Sequence, residues 1–133
     1  MNGVLVDTSV WVAYFRGRKA DRATAEALDY LLSGDEAVVN DVILSELLPF
    51  MVVRGEKDCA DALSAVHSPA VEIDWKGVRT LQEACLRHGI NKVGIPDLII
   101  AQQAMRLGIP LFSLDGHFAL MAKYCDLKLW PPA

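Results

Sequence analysis

Short runs of branched apolar residues recur along this chain, each followed by a longer stretch of helical period. "GVLV" (3–6), "AVVN" (37–40), "AVEI" (70–73), "IPLFSL" (109–114) and "LKLW" (127–130) read as buried strands. Between them the pattern predicts helices over 8–16, 22–34, 41–54, 57–66, 74–89, 96–108 and 115–124, with "RGRKADR" (16–22) as a basic connection. Strands without polar alternation need cover on both faces, and strands that alternate with helices pair in parallel. The expectation is an α/β fold built on a mainly parallel central sheet. A length of 133 residues is one domain, 1–133, and no repeat, low-complexity tract or Gly/Ser linker divides it.

In an open parallel sheet, ligands bind beyond the carboxyl ends of the strands. Four acids stand just after apolar runs: Asp7, Asp41, Asp74 and Asp115. Each has an ordinary reading as a helix N-cap, worth about 1 kcal/mol. Two more stand inside helices. On the 96–108 helix, Ile100, Ala101, Ala104, Met105 and Leu107 share a face with Asp97, and Gln102, Gln103 and Arg106 fall opposite. A first-turn acid complements the helix dipole anywhere around the turn. On the core side it costs desolvation unless a cation or donors await it. Glu46 has Val42, Phe50 and Val53 at its helical offsets, none able to pair with it, so it is expected to be half-sequestered. Local pattern thus yields six candidate acids and does not choose among them.

Several carboxylates gathered at one sheet edge repel one another. A hard divalent cation relieves that repulsion, and Mg²⁺ favours a few carboxylates plus water. Such an ion activates a bound water and stabilises charge on a phosphoryl oxygen, which makes phosphodiester hydrolysis the natural reaction for the site. The formal net charge of −4 argues only superficially against a nucleic acid, because two divalent ions would offset four of the 17 acidic residues. Other chemistries lack their signatures. His67, His88 and His117 form no HExxH, and there is no GxSxG or P-loop. Cys59, Cys85 and Cys125 have no metal or redox spacing and read as reduced thiols of a cytoplasmic protein. The start of the chain has no signal-peptide pattern, and "VILSELLPFMVV" is too short and too interrupted to span a bilayer.

Four segments in order carry a family resemblance: "VLVDTSVWVAYF", "VNDVILSELL", "GIPDLIIAQQAMRLGIPLFSLDGHF" and "LKLWPPA". Together they resemble a PIN-domain ribonuclease of the VapC toxin type over nearly the whole chain. The resemblance selects Asp7, Glu46, Asp97 and Asp115, spaced by 39, 51 and 18 residues, and sets Asp41 and Asp74 aside. It implies a three-layer α/β/α sandwich whose four acids hold one or two Mg²⁺ or Mn²⁺ ions, Asp7 and Asp97 most directly. It implies cleavage of RNA, such as tRNA or rRNA, to 5′-phosphate and 3′-hydroxyl ends. Thr8, Ser9 and Ser113 are then hydroxyls that orient carboxylates or water. It further implies a homodimer, a VapB-like antitoxin that covers the acidic site, and promoter DNA bound only through that antitoxin. Arg16, Arg18, Lys19 and Lys92 are the candidate RNA contacts, since phosphate binding needs cations around an acidic centre. The sequence departs from the family at Pro49-Phe50, where many relatives have glycine, and at His117, where many have an acid.

Two other functions compete. A phosphoacceptor signalling domain would want paired acids after the first strand and a lysine ending a late strand, and this chain has Asp7 alone and Ser113 there. A non-catalytic PIN-like scaffold that binds RNA or protein is opposed by the presence of all four acids.

Overall fold

The computed structural model describes residues 2–132. Met1 and Ala133, the outermost residues of the expected 1–133 domain, lie outside the described residues. Three strands, β1 (Val4–Val6), β2 (Ala37–Val38) and β3 (Leu111–Phe112), form a parallel sheet in the order β2-β1-β3. The register pairs Val4 with Ala37 and Leu5 with Val38 on one side, and Leu5 with Leu111 and Val6 with Phe112 on the other. Every strand residue is buried, and successive side chains point to opposite faces, so both faces of the sheet are covered. The cover comes from α1 (Thr8–Arg16), α2 (Arg22–Ser33), α3 (Asp41–Val53), α4 (Lys57–Ser64), α5 (Trp75–Arg87), α6 (Ile95–Leu107) and α7 (Gly116–Met121), with a 3₁₀ turn at Lys19–Asp21.

The helices pack in consecutive pairs, α1 on α2, α3 on α4 and α5 on α6, and α6 also reaches α3. Tyr14 ties the first pair by donating its hydroxyl to Asp29 at 2.6 Å. That bond, with partial burial and the Asp29 charge, pushes the Tyr14 pKa up to about 12. Trp11 lies almost fully buried over β1, its indole N–H donating to the Val6 carbonyl at 3.0 Å. Gly108 ends α6 at φ 66°, a left-handed turn that a side chain resists, and the chain then runs straight into β3. Helix α3 continues through Pro49 despite the missing N–H. The carbonyl this leaves without its helical donor belongs to Ser45, an exposed residue of the helix.

The sequence reading requires three corrections here. The expected strand at 70–73 does not form, and the sheet edge beyond β2 is a single bridge from Val38 to His67. The strand expected at 109–114 shrinks to Leu111–Phe112, and "LKLW" contributes only a bridge from Leu111 to Leu129. Gln102 and Gln103, expected on a solvent face, are buried, at 9% and 3% exposure. The first and third corrections have one cause. Gln102 accepts from the Asp74 amide at 3.0 Å and donates to the Asp74 carbonyl at 2.9 Å, so its side chain does the work of a neighbouring strand. Gln103 accepts from Asn40 and points its amide toward the carbonyls of Pro69 and Ala70, at 3.5 and 3.4 Å. Buried amides thus pin residues 69–74 where a ladder would otherwise run. Gly77 leaves room for this, since a Cβ there would lie 2.8 Å from Gln102 Nε2.

Removing one member of a buried polar pair leaves the other unsatisfied, at about 1–3 kcal/mol. Gln102→Ala should therefore lower the unfolding free energy measured in urea by an amount in that range, moving the midpoint down, with loosened amide exchange at Asp74. An unchanged midpoint would mean that residues 69–74 are held by something else.

Candidate active site

The strand order places β1 between β2 and β3, so the chain diverges at the carboxyl end of β1, where a crevice opens in such sheets. Asp7 sits in that position. It caps α1, as its place in the sequence predicts, and it is 5% exposed. Its Oδ2 accepts from the hydroxyls of Ser9 and Ser113, both at 2.8 Å, and more distantly from the Ser9 amide at 3.4 Å. The two hydroxyls are themselves held. Ser9 Oγ accepts from the Leu114 amide and Ser113 Oγ from the Asp115 amide, each at 3.0 Å. Each hydroxyl has one proton and gives it to Asp7, so the carboxylate is oriented by donors fixed on two different strand ends. Its other oxygen, Oδ1, has no hydrogen-bond partner among the described residues and is not sealed from solvent.

Glu46, on α3, accepts the Thr8 hydroxyl at 2.8 Å through Oε1. The half-sequestered position expected for it is not what the structure shows. Glu46 is exposed, as are Phe50 at 60% and Val53 at 87%, and of its apolar neighbours only Val42 is partly buried against the core. Asp97 lies half-buried in the first turn of α6, whose following residues Leu98 through Ala104 are all buried. Asp115 caps α7, accepting the His117 amide at 3.0 Å, with His117 Nδ1 3.5 Å from the same oxygen. The histidine at the position often acidic in relatives thus faces the fourth acid.

The four acids feel one another. The pKa of Asp97 is raised first by burial, then by the charges of Asp7 and Asp115, and to a smaller extent by Glu46, while the Gly94 backbone pulls it down. Every side-chain charge acting on Asp97 is negative. Among the described residues, no three acidic, histidine or cysteine side chains are already drawn together at ligating distance. Like charges have no reason to close on one another unaided. A donor set of carboxylates and hydroxyls fits a hard cation, with Asp7 Oδ1, Glu46 Oε2 and Asp115 Oδ2 unengaged and no lysine or arginine acting on Asp97 among the described residues.

The remaining candidates fall outside this cluster. Asp41 is the first residue of α3, with Asn40 as the cap that accepts the Ile43 amide at 3.0 Å. Asp74 caps α5 by position, but its side chain makes no capping bond. Arg16 is paired with Asp21 at 3.0 Å, and with Arg18 it borders an apolar groove between α1 and α3. Lys19 and Lys92 are exposed. Sequence reasoning missed Asn40, Gln102 and Gln103, which position the surroundings of the site. The available signal was a Gln-Gln pair set between small alanines on a helix apolar on its other sides.

The raised Asp97 pKa has a thermodynamic consequence. Its charged form is disfavoured in the folded state, so the associated stability is present at low pH and is lost as pH rises through the folded pKa. In EDTA at pH 7, Asp97→Asn should melt at a higher temperature than the wild type, and the gap should narrow as pH falls toward the unfolded carboxyl range. Equal melting temperatures across that range would show that the acids do not strain the fold.

The model of the PIN domain matches residues 4–124. Among solved structures, FitAcB from Neisseria gonorrhoeae superposes with a TM-score of 0.71 at 16% identity, covering 97% of each chain. VapBC2 from Rickettsia felis, bound to a DNA fragment from its promoter, has a TM-score of 0.71 at 15% identity, covering 95% of this chain and 96% of that one. VapC20 from Mycobacterium tuberculosis, a sarcin-ricin loop cleaving toxin, gives 0.64 at 21% identity, covering 94% and 98%. At such identities the superpositions speak to the fold, which is the parallel sheet and helical cover described above. With the family model spanning nearly the whole chain, from β1 through all four acids, this protein belongs to the PIN-domain family.

Proposed function

We propose that this chain is a metal-dependent endoribonuclease, the toxin of a VapBC-type toxin–antitoxin module. The observation that carries the reading is Asp97, a half-buried carboxylate strained by three other acids and met by no cationic side chain. A protein that only needed to fold would not hold four acids this way. Asp7, Glu46, Asp97 and Asp115 are the proposed ligands for one or two Mg²⁺ or Mn²⁺ ions. Bound there, such an ion supplies an activated water and charge stabilisation on the phosphoryl oxygens. Ser9 and Ser113 hold Asp7 with Oδ1 facing outward, and Thr8 does the same for Glu46. Orienting carboxylates before the substrate arrives avoids reorganisation during the reaction. His117, with Nδ1 3.5 Å from Asp115 Oδ1, is placed to help orient that carboxylate. The products of water attack with departure of the 3′ oxygen are a 5′-phosphate and a 3′-hydroxyl.

The relatives support the setting. VapC20 is a toxin that cleaves the sarcin-ricin loop, and VapBC2 is bound to a DNA fragment from its promoter. A structural ribosomal RNA or a tRNA is the substrate class we propose, with a VapB-like antitoxin as partner, a homodimer as the toxin's own state and the cytoplasm as its location. Promoter DNA would be reached through the antitoxin. No helix is long and apolar enough to cross a membrane among the described residues. The groove between α1 and α3, with Val12, Phe15, Leu47, Phe50 and Met51 in its walls, is the apolar surface we assign to the antitoxin. It lies one helical turn from Glu46, so a bound segment running on from it reaches the acids. Arg16, Arg18 and Lys19 at its edge, with Lys92 ahead of α6, are the proposed phosphate contacts.

A mixed tRNA and rRNA pool should show discrete cuts with Mg²⁺ or Mn²⁺ and none in EDTA. Asp97→Asn should lose activity by roughly 100-fold or more, the scale for removing a group that stabilises transition-state charge. Ser113→Ala should lose about 10-fold, as for a residue orienting a metal ligand. Metal-independent cutting, or full activity in Asp97→Asn, would sink the mechanism. No cutting by folded, antitoxin-free protein in any metal would leave the non-catalytic scaffold.

Phe50→Glu places a charge on an exposed position, so the fold should survive. Co-expressed antitoxin should then fail to neutralise the variant, while cleavage by the purified toxin persists. Normal neutralisation would remove the α1–α3 groove as the antitoxin surface.

A further inference from the structure

A second groove borders the acids and is not used by the chemistry proposed above. It opens where α3 faces the first turn of α6 and the pinned segment 69–74, with Val42, Val71, Ile73, Ile95 and Pro96 as apolar walls. Glu46 stands at its edge, and Pro96 is covalently next to Asp97. Ile73 and Ile95 are 38% and 47% exposed, which leaves apolar surface open to water directly beside a polar site. The wall carrying Val71 and Ile73 is fixed by the buried Gln102 and Gln103 amides, so the groove is preformed.

Two polar side chains enter it, Asp41 and Ser45, four residues apart on α3 and therefore on one face. Asp41 is exposed and makes no ion pair or side-chain hydrogen bond among the described residues. It sits in the first turn of α3. An ionised carboxylate only accepts hydrogen bonds.

We infer that this groove holds the nucleobase adjacent to the scissile phosphate, and that Asp41 reads it as guanine. The inference rests on the nuclease reading, because it is the phosphate at the acids that brings a base here. A flat apolar slot takes the face of a base, and an anionic carboxylate rejects a phosphate. Single-stranded RNA is read by exposed base faces and Watson–Crick edges. Guanine alone presents two neighbouring N–H donors, N1 and N2, to a bidentate acceptor. Uracil sets one N–H between two oxygens, and adenine and cytosine set an amino group beside a ring acceptor. The Ser45 hydroxyl can donate to guanine O6. A second copy of this chain is the less fitting occupant, since no basic side chain lines the groove to pair with Asp41, and burying an unpaired carboxylate is costly.

The test compares short single-stranded RNAs that differ only by guanosine or inosine at the nucleotide beside the cut, because inosine lacks the N2 amine. Cleavage is read with wild type and Asp41→Asn in Mg²⁺, and binding is read separately in the Asp97→Asn background. Wild type should prefer guanosine by about tenfold or more in kcat/KM and in Kd, the scale of one hydrogen bond to a charged group. Asp41→Asn should bring the ratio close to one. Cleavage without a guanosine preference, or a preference that Asp41→Asn leaves intact, overturns the base site while the nuclease reading stands. A guanosine preference in binding that Asp41→Asn abolishes, without cleavage in any metal, sustains the base site and overturns the nuclease reading. Loss of dimerisation in Ile73→Glu, with no change in base preference in Asp41→Asn, would assign the groove to contact between copies and overturn the proposal.

Discussion

Repulsion among carboxylates is the constraint on which the rest of this architecture turns. The strand order sends Asp7 and Asp115 out of neighbouring strand ends, and α3 and α6 bring Glu46 and Asp97 alongside. Left to themselves, four such charges would protonate or drift apart. Asp7 is oriented instead by two hydroxyls on different strand ends. Ser9 and Ser113 are themselves fixed by backbone amides, and their protons go to one oxygen of Asp7. The site thus joins crowded negative charge to a firmly oriented Asp7, a donor set that fits a hard cation.

That stiffness extends outward through the buried amides. Asn40 caps α3, and through Gln103 it is bonded to α6. Gln102 holds the start of α5 and the preceding residues. The helix that carries Glu46, the helix that carries Asp97 and the wall of the neighbouring groove are thus coupled by polar contacts that hydrophobic packing alone would not orient. Apolar burial keeps α6 in place, while the amides decide its register against α3 and the 69–74 segment. Such pairs are costly to break and specific when satisfied, which suits a region where small shifts of a carboxylate matter.

Surface apolar residues need a different account. Phe50, Val52 and Val53 are widely exposed on α3, as are Ile73 and Ile95 on the other side of Glu46. A free monomer gains nothing from leaving them in water. Two grooves flanking one acidic cluster, one with arginines at its rim and one with an unpaired carboxylate, suit two different occupants of the same centre. In the function proposed above, one would silence it and the other would be cut by it.

The alternation of apolar runs with helical stretches was enough to specify a parallel α/β fold, because strands that never alternate must be covered twice. Two caps were legible too: Asp7 and Asp115 precede helices and cap them through their side chains, whereas the cap of α3 falls to Asn40 rather than the expected Asp41, and Asp74 makes no capping bond. Periodicity and position left six acids equivalent, the family resemblance singled out four, and the order β2-β1-β3 with the packing of α3 and α6 puts those four in one field apart from Asp41 and Asp74. Periodicity also misplaced Gln102 and Gln103, since it assigns polar residues to solvent unless a buried backbone asks for them. Glu46 was expected to be half-hidden, and only the folded surface reveals that Phe50 and Val53 are exposed with it. Local pattern determines which backbone a residue prefers. What its side chain meets is set by segments distant in the chain, as when Ser113 closes on Asp7, and that was decided by the tertiary structure alone.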